Sequence, residues 1–600
     1  MGKAGYMRRK KALVAGISAA ALALTLAACG GSGGGDDKSD GFTNVEGAGG
    51  KNPDAKGPAP EVPGAKTGGD ITVLAPDPDD GPTSLDPAGL WSVTDNAIAQ
   101  DLLFRSLTTW QQDPDTGEYT LVPDLATDLG TPNSDFTEWK FTLKDGIKWE
   151  NGDPVTAEEV KFGMERSFDA DTFATGPGTS YSKPYFLGGD KYNGPYASGA
   201  KDFPAIQVDG NTLTLKMAKP FPEMDYYGIF PAMGPVPLDA KAPDYGLKPL
   251  STGPYKIQSY EPNQKLVLVK NDQWDPATDP ARHQYADTFT FEFGGDPTVA
   301  AKTVESDSGS TTLVTNVEGQ DYTAAKQAGN DQNMIVGPQP CTSFVMPNYD
   351  KVKELQVRQA LAFAYPYEDV WSAAGELPGV TRANGVTDDT LGFGLLPPGM
   401  AGRKAWNPEI DGETIQYDPE HAKQLLKEAG YDPGEYEVSF VYDATTPQGK
   451  AGAEQRKLGY EKSGFSVKMY PYTAGSLYDV WTDPNNKLYK KINLLGTAWC
   501  QDWPSPATFL PPILETGAAY NTGNFSESSV DDQMNEIRTL PVDQQADAWG
   551  ELEQKVMTDY QPVINVGYYQ GIFGVGSGIG GFNNDTTVGG APDYRTTYVK

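Results

Sequence analysis

Apolar residues recur with two rhythms along this chain, and each rhythm predicts a kind of element. Ile71-Thr72-Val73-Leu74, Trp139-Lys140-Phe141-Thr142-Leu143, Thr212-Leu213-Thr214-Leu215 and Leu266-Val267-Leu268-Val269 are short apolar-rich runs that read as strands. Between them the period lengthens. Over 156–168, Ala157, Val160, Met164 and Phe168 share one helical stripe, with Thr156 placed to cap and Glu159 three positions on to close a capping box. Over 419–429, Pro419 takes the first helical position after Asp418. Ala422, Leu425, Leu426 and Ala429 then repeat at helical spacing, and Gly430 ends the run. Strands and helices interspersed in this way, with many turn residues, predict a mixed α/β (α+β) protein without an internal repeat.

Ahead of this pattern stand two segments of different character. Lys3, Arg8, Arg9, Lys10 and Lys11 precede an apolar stretch from Leu13 to Ala28, the charged-then-apolar layout of a secretory signal. That stretch is shorter than the ~20 residues of a spanning helix. It ends in Leu26-Ala27-Ala28-Cys29, which looks like a bacterial lipobox, so 1–28 are expected to be removed and Cys29 lipidated; a plain signal peptide beside a chance cysteine is the alternative. From Gly30 to Gly69 the chain is Gly, Ser, Asp, Lys and Pro with little that is apolar. Such a segment buries too little to offset its ordering entropy, which predicts that 29–69 is a flexible tether. The remainder is too long for one core and predicts two or three subdomains. No later segment is apolar enough to span a membrane.

Composition narrows the chemistry. The net charge is −33, and the leader carries five basic groups and no acidic one, so nucleic acid and anionic membrane surfaces are poor partners. Histidines are limited to His283 and His421, which argues against a histidine triad or zinc site; His421, in the first turn of a polar helix, is expected to be solvated. Gly576-Ser577-Gly578-Ile579-Gly580-Gly581 has the glycine spacing of a dinucleotide loop, but no helix pattern follows, so it reads as a turn. Asp77, Asp79, Asp80 and Asp86 lack the spacing of a calcium loop and read as a solvated loop. No cofactor or metal is expected. The 81 acidic residues leave a carboxylate-pair hydrolase as a remote alternative without a motif behind it. With Cys29 lipidated, Cys341 and Cys500 form an even pair in an oxidising compartment, which points to a disulfide; two free buried thiols are the alternative.

Several segments in order resemble the extracellular solute-binding family 5 of peptide and nickel transporters. They are Ser84-Leu85-Asp86-Pro87 with a helix-like stretch to Leu107, Trp139 to Trp149 with Asn151-Gly152-Asp153-Pro154-Val155-Thr156-Ala157-Glu158-Glu159-Val160, Thr252-Gly253-Pro254-Tyr255, Val357 to Ala364, and Tyr417-Asp418-Pro419. Asn151-Gly152 is suited to supply the positive backbone angles of a tight turn. The resemblance implies a two-lobed periplasmic-binding-protein-like fold. Lobe one would be built from 70–110, 250–340 and 568–600, an extra subdomain from 111–249 and lobe two from 341–567.

It also implies a function and a site. The family member would be a monomeric lipid-anchored receptor that captures a peptide, or else an oligosaccharide or metal chelate, and delivers it to the permease subunits of an ABC importer. Ala498-Trp499-Cys500-Gln501-Asp502-Trp503 resembles the segment that runs beside bound peptide in oligopeptide binders, with Asp502 matching the aspartate that meets the peptide ammonium. Cys500 matches a half-cystine bridged to a cysteine placed like Cys341. Trp91-Ser92-Val93 resembles the lobe-one edge that pairs with peptide backbone. One departure stands out: oligopeptide binders often carry a basic residue shortly before the Trp-Cys pair, and here the stretch is Asn493-Leu494-Leu495-Gly496-Thr497, with Lys490 and Lys491 further off.

Overall fold

A computed structural model describes residues 50–77, 81–197, 203–587 and 589–600; the leader, Cys29 and the first part of the expected tether lie outside the described residues. Among the described residues a nine-stranded sheet forms the spine. Its strands are β1 (Asp70–Ala75), β2 (Tyr255–Glu261), β3 (Lys265–Lys270), β4 (Thr288–Phe293), β5 (Thr312–Val314), β6 (Met334–Pro347), β7 (Arg382–Ala383), β8 (Leu494–Cys500) and β9 (Ile564–Val575). They run in the order β8-β6-β9-β5-β1-β4-β3-β2, with β7 also on β9. β1 is parallel to both neighbours, and its residues Ile71, Val73 and Ala75 are wholly buried, as the period-two pattern requires.

Two strands are far longer than the rest. β6 and β9 run antiparallel through the middle of the molecule, and their register slips between Gln339 and Thr342 and again between Ser343 and Phe344. Bulges of this kind bend a strand pair locally. On one side of them lies a core of Ile71, Leu102, Phe289, Phe291 and Tyr594. On the other, Phe344, Leu495, Trp499 and Phe509 pack together, with a neighbouring core around Leu361, Phe363 and Leu425. A further core is drawn from Leu107 to Met233 and contains one distant residue, Trp503.

Local signals are realised where neighbours in sequence suffice. The helix Ala157–Arg166 has both halves of its capping box: the Glu159 amide donates to Thr156 Oγ1, and Thr156 N donates to Glu159 Oε2 at 2.8 Å. Asp418 caps Pro419–Glu428 by accepting from the amides of Glu420 and His421. The turn at 151–152 differs from expectation in one respect. Only Gly152 has positive φ, at 92°; Asn151 serves by accepting from Asp153 N through its side chain. The Gly576–Gly581 segment is a turn entering the short strand Ile579–Gly580, with no helix behind it.

Three expectations need correcting. The expected tether is not loose over 50–69: Asn52 N donates to Leu121 O at 2.9 Å, Val62 N donates to Tyr285 Oη, and His283 Nε2 meets Pro60 O at 2.9 Å. Ala59 and Val62 are buried. Four prolines at 53, 58, 60 and 63 leave this segment little backbone entropy to lose, so few contacts suffice to dock it. His421 is half-buried, its ring 4.4 Å from Phe363. Asp86 does not belong to a solvated loop, because it is buried and bidentate with Arg166; Asp79 and Asp80 lie outside the described residues. Asp86 and Arg166, 80 positions apart, tie the segment after β1 to the helix at 157–166 by a charge-assisted pair.

Candidate binding site

β8 ends the sheet and carries the segment that matters. It pairs antiparallel with β6, setting Cys341 opposite Cys500, Thr342 opposite Trp499 and Ser343 opposite Ala498. The two cysteines form a disulfide across a Cα–Cα distance of 3.9 Å. So close a pair belongs to the non-hydrogen-bonded positions of an antiparallel ladder. By alternation Ala498 is another such position, so the N–H and C=O of Cys500 and Ala498 point away from β6 toward the open edge.

Beyond Cys500 the chain leaves the strand and crosses between cores. Gln501 Nε2 donates to Thr586 O at 2.5 Å. Asp502 is buried, accepting from Trp91 Nε1 at 2.5 Å on one oxygen and from the Tyr181 hydroxyl on the other. These donors lie 411 and 321 positions away in sequence. Burial pushes the Asp502 carboxyl up to about 7, against the opposing pull of the hydrogen bonds from Tyr181 and Trp91. Both donors are neutral, and each uses one acceptor position on its oxygen, which leaves further lone-pair positions on the carboxylate.

Aromatic rings surround this carboxyl. Trp91 meets Tyr181, Trp499 and Tyr520 edge-on, at 6.2, 5.6 and 5.5 Å. Trp503 inserts fully into the core of 107–233, 4.8 Å from Tyr181, and donates through Nε1 to Glu223 Oε2 at 2.9 Å. Each such edge-on pair adds about 0.5–1.5 kcal/mol beyond area burial. A second contact crosses the same divide: Glu515 accepts from Lys219 at 3.2 Å and from Arg538 at 2.6 Å.

Of the residues expected at the site, Trp91, Trp499 and Asp502 are brought together from both sides of the divide. Ala498 lies on the open edge beside them, exposed. Trp499 is largely a packed residue, its Nε1 donating to Thr508 O. Ser92 keeps an extended backbone, at φ −61° and ψ 157°, and caps the helix Val93–Ile98 by accepting from Asp95 N. The Ser-Val-Thr-Asp order explains this, since a serine oxygen two or three residues before free amides favours a cap. Tyr181, Tyr520, Tyr478 and Glu223 were not foreseen; they stand in irregular stretches or, for Tyr478, in the four-residue helix Tyr478–Trp481, too short for periodicity to mark.

With this geometry in view, comparison with known proteins decides the family. The family model "Bacterial extracellular solute-binding proteins, family 5 Middle" matches residues 120–521. The chain belongs to the bacterial extracellular solute-binding proteins of family 5. The periplasmic oligopeptide-binding protein OppA of Escherichia coli is 23% identical over 514 residues, covering 83% of this chain and 87% of that one. Among solved structures, clavulanic acid biosynthesis oligopeptide binding protein 2 superposes with a TM-score of 0.75 at 21% identity, covering 91% of this chain and 99% of that one. NikA from Staphylococcus aureus, solved with Ni(L-His)2, superposes at 0.63 with 20% identity and covers 88% of this chain and 100% of its own. The family-5 protein is thus a mixed α/β periplasmic-binding fold and a binding protein, not an enzyme.

Proposed function

We propose that this family-5 protein captures a peptide by its free amino end, in a cleft that closes between the cores flanking β6 and β9. The observation that carries the proposal is the buried carboxyl of Asp502, held at the meeting of two cores by neutral donors alone. A carboxylate in such surroundings gains from a cationic partner, and a peptide ammonium offers charge-assisted hydrogen bonds to its remaining lone pairs. The outer edge of β8 supports the same ligand class, because outward-facing strand groups such as those of Cys500 accept an extended backbone without reading side chains. In this reading two lobes hinge where β6 and β9 slip register at 339–344, and closure between them suits delivery to the permease subunits of an ABC importer. The protein acts as a monomer held to the membrane through lipidated Cys29; a Cys29→Ala variant is expected to appear in the soluble extracytoplasmic fraction, and one that stays with the membrane would refute the anchor.

The ligand class is tested with a mixed pool of short peptides, measured by native mass spectrometry and calorimetry. Free-amino peptides are expected to bind and their N-acetylated forms to bind more weakly by at least tenfold. Equal affinity for both forms would remove Asp502 from its role. A co-purified saccharide or metal chelate, with no peptide bound, would replace the peptide by another solute.

A further inference from the structure

The docked segment 50–63 reaches further than its own contacts. At one end it lies along the strand Tyr119–Pro123 as a parallel bridge: Leu121 N donates to Gly50 O at 3.2 Å, and Asn52 N donates to Leu121 O at 2.9 Å. At the other end Tyr598 Oη donates to Pro63 O at 3.2 Å. Lys51, between the two bonded positions, meets the short helix Met224–Tyr227. Its ammonium donates to buried Asp225 at Oδ2, 2.6 Å away, and stands 4.0 Å from the centre of the Tyr226 ring.

Tyr226 and nearby Glu223 belong to the socket that receives Trp503. The Tyr226 ring lies parallel to Trp503, at 4° between planes and 6.4 Å between centres, and Glu223 accepts the indole N–H. Burial pushes the Glu223 carboxyl up, while hydrogen bonds from Ser505 and Trp503 and the charge of Lys51 pull it back. An ionised acceptor holds the indole N–H more strongly. Trp503 directly follows Asp502, and its insertion among residues 107–233 is a contact from a distant part of the chain. A lysine at the start of the docked segment therefore bears on the residue beside the ligand carboxyl. The segment itself has two arrangements, docked and released, because few contacts hold it. We propose that Lys51 is a positioning residue for the ligand site: with 50–63 docked, it braces Trp503 through Tyr226 and Glu223, so that docking and ligand capture strengthen each other. By linkage that strengthening is reciprocal.

This proposal rests on the reading of Asp502 given above, and the two can fail separately. Lys51→Met keeps the stem and removes the charge. Affinity for the free-amino peptide that binds tightest in the mixed pool is expected to fall about 3- to 10-fold, and Lys51→Arg is expected to restore it. Lys56→Met removes an equal charge from an exposed point of the same segment and is expected to change affinity by less than about twofold. Saturating peptide should slow hydrogen exchange at the Asn52 and Leu121 amides of the wild type by a factor comparable to the Lys51→Met loss. In the ligand-free protein, exchange at the Ser505 amide, which donates to Trp503 O, is expected to quicken in Lys51→Met. Unchanged affinity, no restoration by Lys51→Arg, an equal loss from Lys56→Met, or quickening confined to residues 50–52 and Leu121 would each overturn the brace. If neither the wild type nor the variant binds a peptide, the peptide function has failed, and exchange at Ser505 alone decides the brace.

Discussion

Replacing Asp502 by Asn is expected to weaken binding of a free-amino peptide by about 2–5 kcal/mol, roughly thirtyfold to several thousandfold. The loss arises because the ligand ammonium would enter a buried site and find no opposite charge. Folding should be little affected near pH 6, because burial already keeps the ligand-free carboxyl protonated up to about 7, and an amide presents a similar shape to Trp91 and Tyr181. The same substitution should leave an N-acetylated peptide almost untouched, so the double comparison isolates the charge pair.

Proton linkage supplies a second readout with a definite sign. The ligand-free Asp502 carboxyl titrates near 7, raised from 3.8 by burial, whereas beside an ammonium it would be ionised well below that. Binding at about pH 6 should therefore release close to one proton, whereas at about pH 8 the peptide amine, which titrates near 8 when free, should take up part of a proton to enter as the ammonium. Affinity should climb as pH rises toward 7 and fall again above about 8. Calorimetry in buffers of different ionisation enthalpy measures this release; a pH-independent affinity across that window would show that Asp502 does not change charge state on binding.

Breaking the Cys341–Cys500 bridge is expected to cost about 2–5 kcal/mol of stability. The bond closes a separation of 159 residues, so its loss frees the unfolded chain while the β6–β8 ladder remains to hold the native strands. The Cys341→Ser, Cys500→Ser double variant, denatured beside the oxidised wild type, should unfold at lower denaturant, and the reduced wild type should follow the variant. Coincident curves for oxidised and reduced protein would contradict a stabilising role.

Ligand-strand geometry gives the bridge a second consequence. Cys500 sits between Ala498, whose backbone faces the open edge, and Asp502, whose carboxyl lies two residues on. Pinning Cys500 to β6 fixes where the strand ends and therefore where the carboxyl begins. A peptide that meets both at once benefits from that preset spacing, since less disorder remains to be removed on binding.

How much of this was legible beforehand follows the reach of the interactions involved. The capping box of Thr156 and Glu159, the Asp418 cap, the alternating strand at 70–75 and the turn at Gly152 depend on residues within a few positions of one another, and the amino-acid pattern states them directly. The resemblance carried Asp502 and the Cys341–Cys500 pair, because an ordered set of local motifs marks the family even at low identity. The partners of Asp502 could not be read in this way. Trp91 and Tyr181 come from over 300 positions away, and no periodicity in either segment reveals that their donors converge on one carboxyl.

Short-range chemistry thus determined the elements and the family of this protein, since propensity, capping and alternation act over one or two turns of chain. The tertiary structure alone decided that residues 50–69 dock and that Trp91 and Tyr181 converge on Asp502. Each of these depends on hydrogen bonds between distant segments, whose geometry exists only after the cores have packed.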